Sequence, residues 1–432
     1  MTAVDARAPQ AARAAGDASA RNAVTWLAVR QMRRGALIVI VLVGGMSAMV
    51  ATTYASTVGD AMDADALAAL AENPAIRTLF GQPVALDTAG GFTVWRTGTI
   101  LAVLVGAWAL LTATRITRGA EDAGHWDLLL SGKIPLPTIV MRHATVTVTA
   151  ALLVGGTTAT ALTAAGTPPD GAVLHGAGLA LVGVFFTAAG TLAAQTFPNR
   201  AAASGATVAL LGAGLLLRMI GDGVDALGWL RWLSPFGLTA LSRPYHDNRV
   251  LPLVVLALAA SAVLAAIPAT AARRDARGSW LAPRTSRAPR LRLLGSIPAF
   301  ALRRLLRPLA GWTAGVGAYF LLIGLLAVSM TDFLADNPQF ADLAAQAGFA
   351  GLGSVEGYVA AMFALLAIPA GIFTPYTSPP SPPPKPTAGS PSSTPDPSPG
   401  SDSSPQKPPP PQPVPRHSPA RPGWPPGSER EA

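Results

Sequence analysis

The feature that most constrains this chain is a succession of apolar runs, each close to twenty residues long and nearly free of charge. A bilayer core about 30 Å thick is crossed by about 20 residues rising 1.5 Å apiece. Eight runs meet that length, roughly residues 35–55, 98–114, 144–164, 172–194, 203–220, 250–271, 309–330 and 355–373. Lipid offers no partner to an unpaired backbone group, and these runs are twice the length of barrel strands, so helices are expected. The fold class that follows is all-α, a polytopic membrane bundle of about eight transmembrane helices. The first run begins after 34 residues and is too long for a cleaved leader, so it reads as an uncleaved anchor.

Composition agrees. Half of the residues are hydrophobic, only 13% are charged, and the mean hydropathy is +0.40, whereas soluble domains are about a quarter charged. The net charge of +9 does not point to nucleic acid, because the arginines flank apolar runs and do not form a basic face on a soluble domain. Without cysteine there is no disulfide framework, thiolate metal site or cysteine nucleophile. His125, His143, His175, His246 and His417 show no metal-binding spacing, and no GxxxxGK[ST] loop is present. No cofactor, metal or catalytic residue is expected, so the chain does not read as an enzyme.

Arginine placement sets the expected orientation. Arg7, Arg13, Arg21, Arg30, Arg33 and Arg34 precede the first run, and ten arginines against Asp275 alone lie between Arg273 and Arg307. Both segments should be cytoplasmic. Asp60, Asp63, Asp65, Glu72 and Asp87 follow the first run, and Asp332, Asp336 and Asp342 follow the seventh, so both loops should lie outside. The expectation is a multi-pass plasma-membrane protein with its N-terminus in the cytoplasm.

Residues 27–37, LAVRQMRRGAL, are echoed at 300–310, FALRRLLRPLA, with Arg30 matching Arg303 and Arg34 matching Arg307. Asn73-Pro74 and Asn337-Pro338 recur after the following spans. This predicts a basic segment 1–34, a six-helix half 35–271, a basic linker 272–308, and a partial second half of two helices at 309–373. Residues 374–432 hold 22 of the 40 prolines and cannot build a core, so a disordered tail is expected there. That tail reads as a plain solvated segment, as a recruitment site for proline-binding modules, or as the product of a reading-frame shift that replaces the remaining spans and leaves an inactive permease.

Between the second and third runs lies RGAEDAGHWDLLLSGK, residues 118–133. From Glu121 onward, Trp126, Leu129 and Leu130 share a helical arc, while Glu121, His125 and Asp127 point elsewhere. Glu121 and Asp122 suit a helix N-terminus, Lys133 suits the far end, and Pro135 and Pro137 stop it. The segment reads as a short cytoplasmic helix with an apolar face on the membrane domain and an acidic face for a partner; the alternative is an interfacial helix that merely anchors the loop. Near the outer end of the fifth run, Arg218 and Asp222 stand four apart and could pair. The plainer reading of Arg218 is snorkelling to the interface. Gly176, Gly178, Gly183 and Gly190, and Gly311 with Gly315, suit close helix contact.

The pattern of Arg118, Glu121, Asp122, Gly124, Trp126, Asp127 and Leu128 to Leu130 resembles the loop after the second span of ABC-2 type permeases. It is most similar to the actinobacterial group of polyketide-antibiotic exporters, whose members have two six-span halves. RWLSPFGL, residues 231–238, is similar to that group as well. The resemblance implies an ATPase-coupling loop formed by Arg118, Glu121, Asp122, Gly124, Trp126, Asp127 and Leu128, docking a separate cytoplasmic ABC ATPase subunit that powers export of an apolar or amphipathic, antibiotic-like small molecule. A complete member would have four further spans, and a homo-oligomer is one arrangement that would supply them. Two other classes stay open on the residues alone: a secondary carrier driven by an ion gradient, which the scarcity of intramembrane carboxylates disfavours, and a non-transporting scaffold displaying the proline-rich segment.

Overall fold

In the computed structural model, residues 7–54, 74–131, 134–275, 278–281, 295–338, 341–342, 345 and 351–365 are described. Lys133, the acidic stretch 60–72, most of the basic linker and the proline-rich segment therefore lie outside the described residues.

Among the described residues, seven helices are long and apolar enough to cross a membrane. They lie in α1 (Arg7–Tyr54), α3 (Ala89–Thr114), α5 (Leu136–Ala164), α6 (Pro169–Thr196), α7 (Arg200–Gly223), α9 (Leu251–Ala272) and α10 (Ile297–Leu325). Shorter helices are α2 (Pro74–Phe80), α4 (His125–Leu130), α8 (Pro235–Leu241), α11 (Ala327–Asp336) and α12 (Val355–Leu365). The eighth expected span is represented by α12, eleven residues long, with 366–373 outside the described residues.

The helices begin where the sequence places their signals. Thr88 caps α3 by accepting from Gly91 N, Asn199 caps α7 by accepting from Ala202 N, and Ser234 caps α8 by accepting from Phe236 and Gly237 N. Pro169 and Pro235 occupy first-turn positions, where a missing N–H costs nothing. Threonines inside the spans return their hydroxyls to their own helix, as Thr97 does to Thr93 O and Thr158 to Val154 O, both at 2.7 Å. That leaves no hydroxyl of these two facing lipid unpaired.

Helix α6 is the axis of the bundle, packed against α3, α5, α7 and α9. Its small residues permit this. A Cβ on Gly155 of α5 would lie 2.2 Å from Gly176 O, and a Cβ on Gly176 would lie 2.4 Å from Gly155 O. The two backbones touch through reciprocal glycines, the close approach that small residues give in membranes. Gly183 meets Ala151 and Gly190 meets the Leu110 backbone in the same way. Gly311 and Gly315 of α10, by contrast, face open space.

Outward, α1 turns Leu37, Ile38, Val41 and Leu42 to its surroundings while Val39 and Val43 enter the core with Leu101, Val105, Leu179 and Phe186. An apolar exterior of this kind is what a lipid solvent requires. Successive spans α1, α3, α5, α6, α7, α9 alternate in direction. One end of the bundle gathers Arg118, Arg200 and Arg274; the other carries α2, the 3-10 segment Asp225–Leu233 and α8. Trp229 and Trp232 are exposed at that second end, as residues of an interfacial belt are.

Candidate functional site

The second span does not end at Thr114. It continues through a π-helical turn, Arg115–Gly119, and one more α turn, Ala120–Asp122. Gly124 then adopts φ 75°, a left-handed conformation that glycine reaches without penalty, and α4 starts immediately after it. The expected single helix from Glu121 is thus two pieces. Glu121 and Asp122 belong to the tail of the second span, not to the N-terminus of the short helix.

That shift changes the role of the acids. Glu121 is 2% exposed, and Arg274, just beyond the end of α9, grips it through two bonds, Nη1 to Oε1 at 2.7 Å and Nη2 to Oε2 at 2.9 Å. Arg118, 3% exposed, approaches Glu121 Oε2 at 3.4 Å and Asp122 Oδ1 at 3.1 Å, and donates to Gly278 O and Pro198 O. Arg274 also donates to Gln195 Oε1 at the end of α6. Asp122 accepts from Arg200 N in the first turn of α7 at 2.8 Å, so the helix N-terminus that welcomes its charge is that of the fifth span. One cluster, buried at Arg118, Glu121 and Arg274 and open to the surface at Asp122, therefore ties the ends of α3, α6, α7 and α9. The charges are matched and their oxygens are hydrogen-bonded, which is what makes a buried ion cluster tolerable.

Glu121 consequently is no part of an exposed acidic face. The surface is made by α4. Trp126 is buried, 5.6 Å from the His143 ring and packed among Val24, Ile139, Val140 and Ile267, with Leu129 and Leu130 against the same group. His125 and Asp127 are exposed, and Leu128 is 83% exposed.

At the opposite end, Arg218 Nε and Asp222 Oδ2 stand 2.7 Å apart with both side chains buried. Arg218 donates to Leu79 O and Phe80 O, satisfying the C-terminal carbonyls of α2, and Arg231 Nη1 reaches Asp222 Oδ1 at 3.4 Å. Snorkelling does not describe Arg218: it continues the buried stripe Ala203, Thr207, Leu211, Gly214 of α7, and its charge is answered inside the protein. The sequence reading missed Arg274, Gln195 and Arg231. Arg274 and Gln195 each sit at the last turn or just past the end of an apolar run, the positional signal that would have found them.

Among the described residues no three His, Cys, Asp or Glu side chains gather as a metal site. The family model for the C-terminal domain of the multidrug efflux system permease Rv1217c matches residues 22–273 and 294–376, which include Arg118, Glu121, Asp122, Arg218, Asp222 and Arg231, while Arg274 falls just past the end of the first matched stretch. The multidrug efflux system permease protein Rv1217c of Mycobacterium tuberculosis (strain ATCC 25618 / H37Rv) is 32% identical over 321 residues, 72% of this chain and 56% of that protein. The chain thus spans little more than half the length of that relative. On this match the chain belongs to the family of the multidrug efflux system permease Rv1217c, C-terminal domain.

Proposed function

We propose that this chain is the membrane-spanning part of an ATP-driven efflux pump that moves apolar or amphipathic small molecules outward, with its N-terminus and α4 in the cytoplasm. The observation that carries the reading is α4 itself: anchored on one side by Trp126, exposed on the other through Asp127 and Leu128, and joined to the second span by a turn locked to three other spans. A force applied to α4 reaches α3, α6, α7 and α9 through hydrogen-bonded charges and not through a loose loop. The sequence carries no phosphate-cradling glycine loop, which supports hydrolysis in another chain. The relative is the permease of a multidrug efflux system, which supports small drug-like molecules as cargo.

Co-expression with the nucleotide-binding subunit encoded nearest its gene tests the reading. Leu128→Glu should abolish co-purification while leaving the helical content intact, because it places a charge at the apolar tip of α4. Undiminished co-purification would remove α4 as the docking element.

A further inference from the structure

The end of the bundle opposite α4 contains a small cleft of about 80 Å³ between α3, α6, α7 and α8, open on one side. Its walls include the aromatic rings of Phe80, Trp95 and Phe236, and Arg218, Asp222, Arg231 and His175 are among its polar members. Apolar walls with a few placed polar groups are the make-up of a small-molecule site.

His175 is the group the fold leaves unexplained. It is 7% exposed, two turns into α6, with its ring seated against Gly98 of α3, where a Cβ would lie 3.3 Å from Cε1. Its Nε2 is buried without a hydrogen-bond partner among the described residues. A buried ring nitrogen left without a partner forfeits its hydration unless something completes it. Several polar groups nearby are already engaged: Arg218 by two carbonyls and Asp222, Trp95 Nε1 by Gly81 O at 3.2 Å, and Arg243 by Asp247. The charge around the cleft is unbalanced, since Arg218 and Arg231 face the single carboxylate of Asp222. Low-dielectric walls focus such a positive excess on whatever enters.

We infer that this cleft is a binding site for an aromatic amphipathic acid, its ring against Trp95 and Phe236 and its carboxylate accepting a hydrogen bond from His175 Nε2. The site deepens the efflux reading by naming a cargo class and a place on the exit side, and it rests on that reading for its role in transport. Binding itself does not depend on the ATPase, so the two can fail separately. A carboxylate is preferred over a cation because Asp222, the one acid lining the cleft among the described residues, is already shared by two arginines.

The test is equilibrium dialysis of 1-naphthoate and of its neutral isostere 1-naphthamide against the full chain in lipid nanodiscs, with empty nanodiscs as background. Saturable binding of 1-naphthoate is expected, at least tenfold tighter than that of 1-naphthamide. His175→Leu should weaken it tenfold or more, His175→Gln, which keeps a donor, should stay within about threefold, and Thr99→Trp, which fills the wall without touching the ion pair, should abolish it. Equal affinity for the two probes, absence of saturable binding to the wild-type chain, or 1-naphthoate binding unchanged in both His175→Leu and Thr99→Trp would overturn the assignment.

Discussion

Glu121 shows how much a residue's meaning depends on a partner far away in sequence. Its bidentate bond to Arg274 spans 153 positions, and both side chains are buried. Removing one member of such a pair leaves an uncompensated buried charge, typically about 3–5 kcal/mol. Glu121→Gln and Arg274→Gln should each lower the thermal stability of the purified chain markedly. The double variant should lose less than the sum, because the two losses describe one interaction. Strict additivity in thermal unfolding would mean that the pair is not coupled. The other pair was legible from spacing, since Arg218 and Asp222 stand four apart on a helix. Arg274 was not, because its arginine-rich neighbourhood reads equally well as a topological signal.

At the scale of elements, the long helices could be read from length and hydropathy, and the short one could not. A left-handed Gly124 divides the segment that periodicity joins, and periodicity carries no information about φ. Gly124→Ala should cost roughly 1–2 kcal/mol of local conformational strain and, on the proposed function, should weaken ATPase-dependent transport more than it lowers overall stability. Gly124→Asn, better suited to positive φ, should do less harm. The glycines of the bundle separate as cleanly. Gly155→Ala drives a methyl into Gly176 O, whereas its neighbour Gly156 has nothing within 4 Å of the added carbon. Overpacking of this kind costs about 1–3 kcal/mol, so Gly155→Ala should lower the melting temperature and Gly156→Ala should leave it near wild type. Equal melting temperatures for the two would argue against the α5–α6 contact. Span glycines were expected at close contacts from composition, but only the structure distinguishes Gly155, which touches a backbone, from Gly311, which meets nothing.

For the molecule as a whole, the two ends differ in chemistry, and function is argued from that difference. One end concentrates arginine in a buried cluster under α4; the other presents exposed tryptophans and the cleft of His175. The multi-span architecture and the family were legible in the sequence because lipid imposes run length and because the 118–130 segment is distinctive. The internal brace was not, since it is built by single residues at the ends of spans that are distant along the chain. The absence of cysteine makes the sidedness of the two ends directly measurable, as any introduced thiol is the only one. The decisive measurement is the labelling of Leu128→Cys by a membrane-impermeant maleimide, with Trp229→Cys as the opposite-end reference. The account predicts that position 128 is silent in intact cells, reacts in inverted vesicles and is shielded when the ATPase is bound, with position 229 reacting in intact cells. Labelling of position 128 from outside intact cells would contradict it.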